Sequence, residues 1–314
     1  MVQHVDLGGQ NMLNRLFSNI LPLMPRQLVW LFSKQYIAGE TIDDAVQAAR
    51  TLKEQNCMST IDLLGEFITD LDQARKNKEA YLRLISAAKT GGIDGNYSLK
   101  PTFFGLLLDK KTAFAHVREI VETAANLDHF VRIDMEDSAC TDLEIELFRD
   151  LHADFPGNVG LVLQAYLRRT LSDIEALSDL NQADIPLNLR ICKGIYVEPE
   201  KIAYQTYEQI NENYLRCIDL MLQKKMYPAV ATHDKVLVKG VTRLLCEYQI
   251  PENKYEFQML YGVTPGLRQA IVNSGHRMRI YIPFGREWFG YCTRRIKENP
   301  KIGSMVVKAL FRKG

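Results

Sequence analysis

Eight short apolar runs, at 59–64, 97–105, 130–135, 159–167, 187–196, 229–232, 255–260 and 278–283, punctuate this chain, and a helical pattern follows each. Their starts lie roughly 20 to 40 residues apart, the length of one strand–helix unit. Strands that alternate with helices pair in parallel, because each crossover returns the chain to the same end of the sheet. Eight such units predict an α/β fold closed as a (β/α)8 barrel, with a doubly wound open sheet as the alternative. The 314 residues suit one barrel, and no Gly/Ser linker, low-complexity tract or composition break divides them. The expected layout is one domain: an N-terminal helical segment over 1–56, packed on a barrel over 57–314.

Local signals agree. Residues 11–38 read as two short helices split at Pro22 and Pro25, and Gly39 ends the second. Thr41 and Asp44 frame a capping box for a helix through Lys53, with Ile42, Ala45, Val46, Ala49 and Leu52 on one face. Thr141 and Glu144 predict a second box; Thr264 and Pro265 predict another helix start. Long helices are expected over 200–225 and 235–249. In the last unit Met278, Ile280 and Ile282 alternate with Arg279 and Tyr281, and Pro283 and Gly285 stop the strand. A helix then carries Trp288, Phe289, Tyr291 and Ile296 on its apolar side, with Arg294 and Arg295 adjacent, and Pro300 ends it. Paired guanidiniums suit a carboxylate, which they hold with forked, charge-assisted hydrogen bonds. A solvated basic face is the plainer alternative.

Charge and cysteine usage narrow the chemistry. Lys plus Arg is 39 and Asp plus Glu is 38, so a net charge of +1 makes no electrostatic case for nucleic acid. The six cysteines form no C-x-x-C pair, which points to reduced thiols rather than disulfides or structural zinc. The six histidines are scattered, so no metal centre is expected. Neither a G-x-G-x-x-G nor a P-loop pattern occurs, which disfavours a Rossmann-bound NAD. The apolar stretch 20–32 is broken by Pro22, Pro25 and Arg26, so it predicts no membrane span.

In a barrel the active site sits at the C-terminal ends of the strands. The polar residues expected there are Asp62, Glu66, Lys100, Asp134, Glu136, Asp137, Gln164, Arg190, Lys193, Thr232, His233, Asp234, Gln258 and Tyr281. Several charges pointing into a barrel are costly unless paired, and so suggest a ligand site. Each also has a bland reading: Lys100 in a structural pair with Asp134, His233 as a satisfied core histidine, Gln164 as a tie between loops. Arg190 and Lys193, three apart at a strand end with Gly194 beside them, suit an anionic or electron-accepting cofactor, and the glycine permits close backbone approach.

Four motifs in chain order resemble those of short, monofunctional bacterial-type proline dehydrogenases. They are Tyr97 to Lys100, Arg132 to Glu136, Arg190 to Glu198, and Tyr281 through Arg294-Arg295 to Glu298. Stretches at 36–42, 62–66 and 256–262 extend the likeness over about residues 30–300. The resemblance implies a distorted (β/α)8 TIM-like barrel that binds FAD non-covalently and oxidises L-proline to Δ1-pyrroline-5-carboxylate. That is the first step of proline catabolism to glutamate, with electrons passed to a quinone. It implies that Arg294 and Arg295 grip the substrate carboxylate, with Lys100 adding a third cation. Tyr281 and Leu260 would pack on the proline ring. Asp134 would hold Lys100 and the site geometry, and Arg190 would sit near the flavin N5 and favour the anionic reduced ring. Met135, Gln164, Lys193, Gly194, Ile195, Thr232 and His233 would line the flavin. A separate pyrroline-5-carboxylate dehydrogenase and a cytoplasmic location, with or without peripheral contact at the inner membrane face, complete the expectation.

Cys192, Ile195 and Pro101 depart from the usual family pattern, and Ile195 adds bulk at an expected flavin contact. Two rival readings are a methylenetetrahydrofolate-reductase-like flavin barrel, against which the arginine pair argues, and a barrel that has lost its cofactor.

Overall fold

The computed structural model describes residues 29–30 and 34–298, with 294–298 by backbone alone. Eight parallel strands close into a barrel in chain order: β1 (Met58–Leu63), β2 (Asn96–Leu99), β3 (Phe130–Ile133), β4 (Val159–Gln164), β5 (Asn188–Cys192), β6 (Tyr227–Ala231), β7 (Glu256–Leu260) and β8 (Met278–Phe284). Thr60 beside Tyr281 and Leu63 beside Phe284 complete the closure. The helices are α1 (Ile42–Glu54), α2 (Leu71–Thr90), α3 (Lys110–Ala125), α4 (Thr141–Asp154), α5 (Thr170–Leu177), α6 (Tyr207–Gln223), α7 (Lys235–Glu247), α8 (Pro265–Asn273) and α9 (Trp288–Glu298).

Residues level with one another on neighbouring strands share a face. One set, Ile61 with Tyr97, Leu99 with Ile133, Leu161 with Leu189, Ile191 with Val230 and Phe257 with Met278, faces the helices and is fully or almost fully buried. The alternate set, Thr60 with Tyr281, Ser98 with Arg132, Arg190 with Val162, and Gln258 with Arg279, faces inward. The apolar core is therefore the layer between strands and helices, while the barrel interior is rich in charge. Branched apolar side chains usually fill that interior; here polar groups must satisfy one another or a ligand.

All eight expected strands exist, but most end sooner than their apolar runs. Lys100, just after β2, keeps an extended backbone without pairing in the sheet and caps the 3-10 turn Pro101–Phe104. The Thr41–Asp44 capping box forms as expected, with both reciprocal hydrogen bonds; such a cap contributes about 1 kcal/mol. The second box does not form. Cys140 is the N-cap of α4, and the Glu144 carboxylate instead accepts the backbone N–H of Glu136. Thr264 does precede α8, with Pro265 in the first turn, but its side chain makes no cap. The helix expected from residue 200 begins at Tyr207, where Thr206 caps it.

Of the two helices expected over 11–38, Val29 and Trp30 are helical and 34–37 form a turn; 11–28 and 31–33 lie outside the described residues. Residues 38–40 are stitched to the turn that launches α9. The Ala38 N–H donates to Pro283 O and the Gly285 N–H to Gly39 O, each at 3.0 Å. Trp288 Nε1 donates to Glu40 at 2.8 Å, and its ring lies 4.8 Å from that of Trp30.

Candidate active site

A cavity of about 1640 Å³ opens at the C-terminal ends of the strands. Every strand end contributes to its wall: Asp62, Lys100, Asp134, Gln164, Arg190, Thr232, Leu260 and Tyr281 among others. Drug-sized ligands occupy roughly 300–1,000 Å³, so this space suits something larger.

Two linked ion pairs form its floor. Asp134 Oδ1 accepts from Ser98 Oγ at 2.6 Å and from Arg190 Nη1 at 2.8 Å, while Oδ2 accepts from the Tyr281 hydroxyl at 2.9 Å. Lys100 Nζ donates to both oxygens of Asp62, at 3.0 and 3.1 Å, and to the Tyr281 hydroxyl at 3.2 Å. Asp134 stands 3.7 Å from Lys100, so Asp62 rather than Asp134 is the closer partner of the lysine. The signal for Asp62 was its phase: it lies two residues after Thr60 on the inward face of β1.

Electrostatics follow from burial. Burial alone would lower the Lys100 pKa, but Asp62 and Asp134 outweigh it and hold the ammonium up at about 12. Burial, helped by Asp134 and Asp62, pushes the Tyr281 phenol well above its ordinary value, so it remains a donor. The Arg190 guanidinium is buried, and its centre lies 5.4 Å from the Tyr281 ring centroid. Its Nε and Nη2 have no partner among the described residues.

The other expected residues surround this floor. Met135, Gln164, Lys193, Gly194, Ile195, Thr232, His233 and Leu260 all line the cavity. Gln164 Nε2 donates to Glu136 O at 2.7 Å, so the amide also ties two strand ends. His233 Nε2 accepts the Leu260 N–H at 2.9 Å, which places the ring proton of a neutral His233 on Nδ1. Lys193 pairs with Asp234 at 2.7 Å. Gly194, at φ +107°, owes its identity to packing, because a Cβ there would stand 2.1 Å from the Tyr166 ring. Ile195 is half exposed. Arg294 and Arg295 lie on α9, and their side chains fall outside the described residues.

Glu136 and Glu144 form a buried carboxyl pair missed in the sequence, where Glu144 matched a capping pattern. Glu136 accepts the Thr102 N–H at 2.9 Å and its hydroxyl at 2.5 Å, linking the ends of β2 and β3. Burial raises Glu136 to about 7, and the Thr102 hydrogen bonds only partly oppose it. Burial, then the nearby Glu136, raise Glu144 well above the carboxylate range. Glu198 accepts from the Ser138 N–H and hydroxyl at 2.7 and 2.8 Å, fixing the far side of the loop after β3.

The chain as a whole has known counterparts. The chain is 34% identical over 293 residues to the Proline dehydrogenase of Deinococcus radiodurans, covering 92% of this chain and 93% of that one. It is 35% identical over 283 residues to Proline dehydrogenase 1 of Bacillus subtilis strain 168, covering 90% and 92%. A crystal structure of proline utilization A (PutA) from Bdellovibrio bacteriovorus, inactivated by N-propargylglycine, matches with a TM-score of 0.83 at 25% identity, covering 93% of this chain and 37% of that longer one. A family model described as Proline dehydrogenase matches residues 45–308. Matches along nearly the whole chain agree with the motif order, and the chain belongs to the proline dehydrogenase family of oxidoreductases.

Proposed function

We propose that this chain oxidises L-proline to Δ1-pyrroline-5-carboxylate with non-covalent FAD and delivers the electrons to a quinone. The observation that carries the cofactor is Arg190: a buried guanidinium whose Nε and Nη2 have no partner among the described residues, beside a cavity of about 1640 Å³. Buried donors without acceptors are costly, so these call for an acceptor in the cavity. When bound, FAD supplies the acceptor for the hydride that leaves the proline ring carbon next to nitrogen. Arg190 would hold it. Met135, Gln164, Lys193, Gly194, Ile195, Thr232 and His233 would flank it.

The remaining work is orientation. The carboxylate is the strongest handle on proline, and Arg294 and Arg295 would hold it. Lys100 would contribute a third donor by releasing the Tyr281 hydroxyl, since its other two bonds go to Asp62. Tyr281 and Leu260 would pack on the ring. Asp134, fixed by Ser98, Arg190 and Tyr281, would keep the floor rigid. We place the catalytic unit in the barrel, 57–314, with 1–56 packed on it. We assign the chain to the cytoplasm, with or without peripheral contact at the inner membrane face; no helix among the described residues is long and apolar enough to cross a membrane. A separate pyrroline-5-carboxylate dehydrogenase would take the product.

An absorption spectrum of purified protein tests this reading. The protein should be yellow, release FAD rather than FMN on heating, and bleach anaerobically with L-proline. A soluble quinone should restore the colour and NAD should not. Colourless protein that FAD cannot reconstitute would overturn it.

A further inference from the structure

Seven charged side chains among the described residues belong to the barrel interior: the cations Lys100, Arg132, Arg190 and Arg279, and the anions Asp62, Asp134 and Glu256. Three ion pairs account for six of them: Lys100 with Asp62 at 3.0 Å, Arg190 with Asp134 at 2.8 Å and Arg279 with Glu256 at 2.8 Å. Arg132 is left without a carboxylate. Its Nη1 donates to the carbonyls of Asn188 at 3.0 Å and Leu161 at 3.4 Å, its Nη2 to Asn188 Oδ1 at 2.7 Å, and its Nε to nothing. It is 1% exposed. A guanidinium bound only to neutral acceptors keeps its charge, and burial weakens the screening of that charge by water.

Arg132 lies two residues before Asp134 on β3, and its partner Asn188 lies two before Arg190 on β5. Two strand residues span roughly 7 Å, so the charge sits one layer beneath the cavity floor. Burial, with Arg190 and Arg279 close by, lowers its pKa to about 9, which leaves it cationic at neutral pH. Burial opposes ionisation of Glu256, but Arg279 and Arg132 prevail and hold it at about 2.

We propose that Arg132 is a specificity-determining residue: its unpaired charge biases the cavity above it toward a ligand bearing a carboxylate. This rests on the proposed binding of proline, and it adds a contribution from a residue that touches neither substrate nor cofactor. The bias is a property of the summed interior charge, so it responds to any change in that sum.

The test uses flavin-loaded protein and calorimetric binding of two ring compounds that cannot be oxidised as proline is, cyclopentanecarboxylate and cyclopentanecarboxamide. Wild type should prefer the carboxylate. Arg132→Met should narrow that preference about tenfold, the size of a Coulomb interaction across roughly 10 Å at an effective dielectric near 20. Arg132→Lys should restore most of it despite disrupting the Asn188 contacts. Glu256→Gln, which adds one net positive charge, should widen it. A purely structural role would weaken both ligands alike, would not be rescued by lysine and would leave Glu256→Gln without effect on the ratio. An unchanged ratio in folded Arg132→Met, or a narrowed one in Glu256→Gln, overturns the inference. Should Arg132→Met fail to fold, the lysine and Glu256→Gln variants decide. If wild type binds neither proline nor the carboxylate, the proposed function itself falls.

Discussion

Arg190 spends one nitrogen on Asp134, at 2.8 Å, and its Nε and Nη2 are buried with no partner among the described residues. The same carboxylate also anchors Tyr281 and Ser98. Positioning and ligand contact are thus divided between the nitrogens of one side chain, and the substitutions below separate such shared duties.

The arginine pair of α9 is expected to carry substrate affinity. Losing one guanidinium from a desolvated carboxylate site costs about 2–4 kcal/mol in transition-state binding. Arg294→Met and Arg295→Met should each lower kcat/KM by roughly two orders of magnitude. Arg168→Met should do far less, because Arg168 donates to Glu200 O at 2.8 Å and packs over the Tyr204 ring at 4.5 Å. Steady-state kinetics on the three variants decide whether the right pair has been chosen.

Asp62→Asn should move the alkaline limb of activity. In the wild type, Asp62 and Asp134 overcome burial and hold Lys100 up at about 12. Without the Asp62 charge, burial gains the upper hand and the lysine pKa falls. Its positive charge is then lost as pH rises through that lower value, and carboxylate binding goes with it. The profile of kcat/KM between pH 7 and 10 should therefore decline earlier in the variant. Superimposable profiles would show that Lys100 does not serve the substrate.

Glu144→Gln should stabilise the protein above neutral pH. Burial and Glu136 raise the folded-state pKa of Glu144 well above its ordinary value of 4.5. The folded chain therefore keeps a proton that the unfolded chain releases, and stability falls as pH rises from the ordinary carboxylate range through the raised value. Glutamine can still accept the Glu136 N–H without that dependence. Thermal melts should show the variant gaining on wild type from pH 5 to 9. A parallel pair of curves would refute the account.

Tyr281→Ser should alter substrate choice. The wild-type ring, locked by Asp134 and Lys100, is expected to leave little room at the hydroxylatable carbon of proline. Preference for proline over 4-hydroxyproline should be modest, about 1–3 kcal/mol. Serine should narrow or reverse it while weakening proline itself through lost packing. The measurement is kcat/KM for both substrates on flavin-loaded protein, and an unchanged ratio removes Tyr281 from the pocket.

The barrel was legible because each strand keeps apolar residues on the side that meets the helices, and a helical pattern follows each one. Strand ends were not. Lys100 continues the extended path of β2 but belongs to the loop, and nothing in its neighbours distinguishes pairing from mere extension. Asp62 as the partner of Lys100 depends on β1 and β2 being adjacent with both residues inward, a relation across 38 positions. Glu144 misled because its spacing from Thr141 fits a cap, whereas its real partner is a backbone N–H eight positions back. Gly194 was read as room for a ligand, and the Tyr166 ring uses that room.

Residues 38–40 touch the root of α9 through Pro283, Gly285 and Trp288, and α9 is the helix on which Arg294 and Arg295 ride. That short stretch thus braces the root of the helix. Replacing Glu40 would remove the Trp288 hydrogen bond without touching any strand pairing. Under the proposed role of that arginine pair, affinity for substrate becomes adjustable from a segment outside the eight strands, which gives selection a means of retuning the enzyme while its chemistry stays fixed.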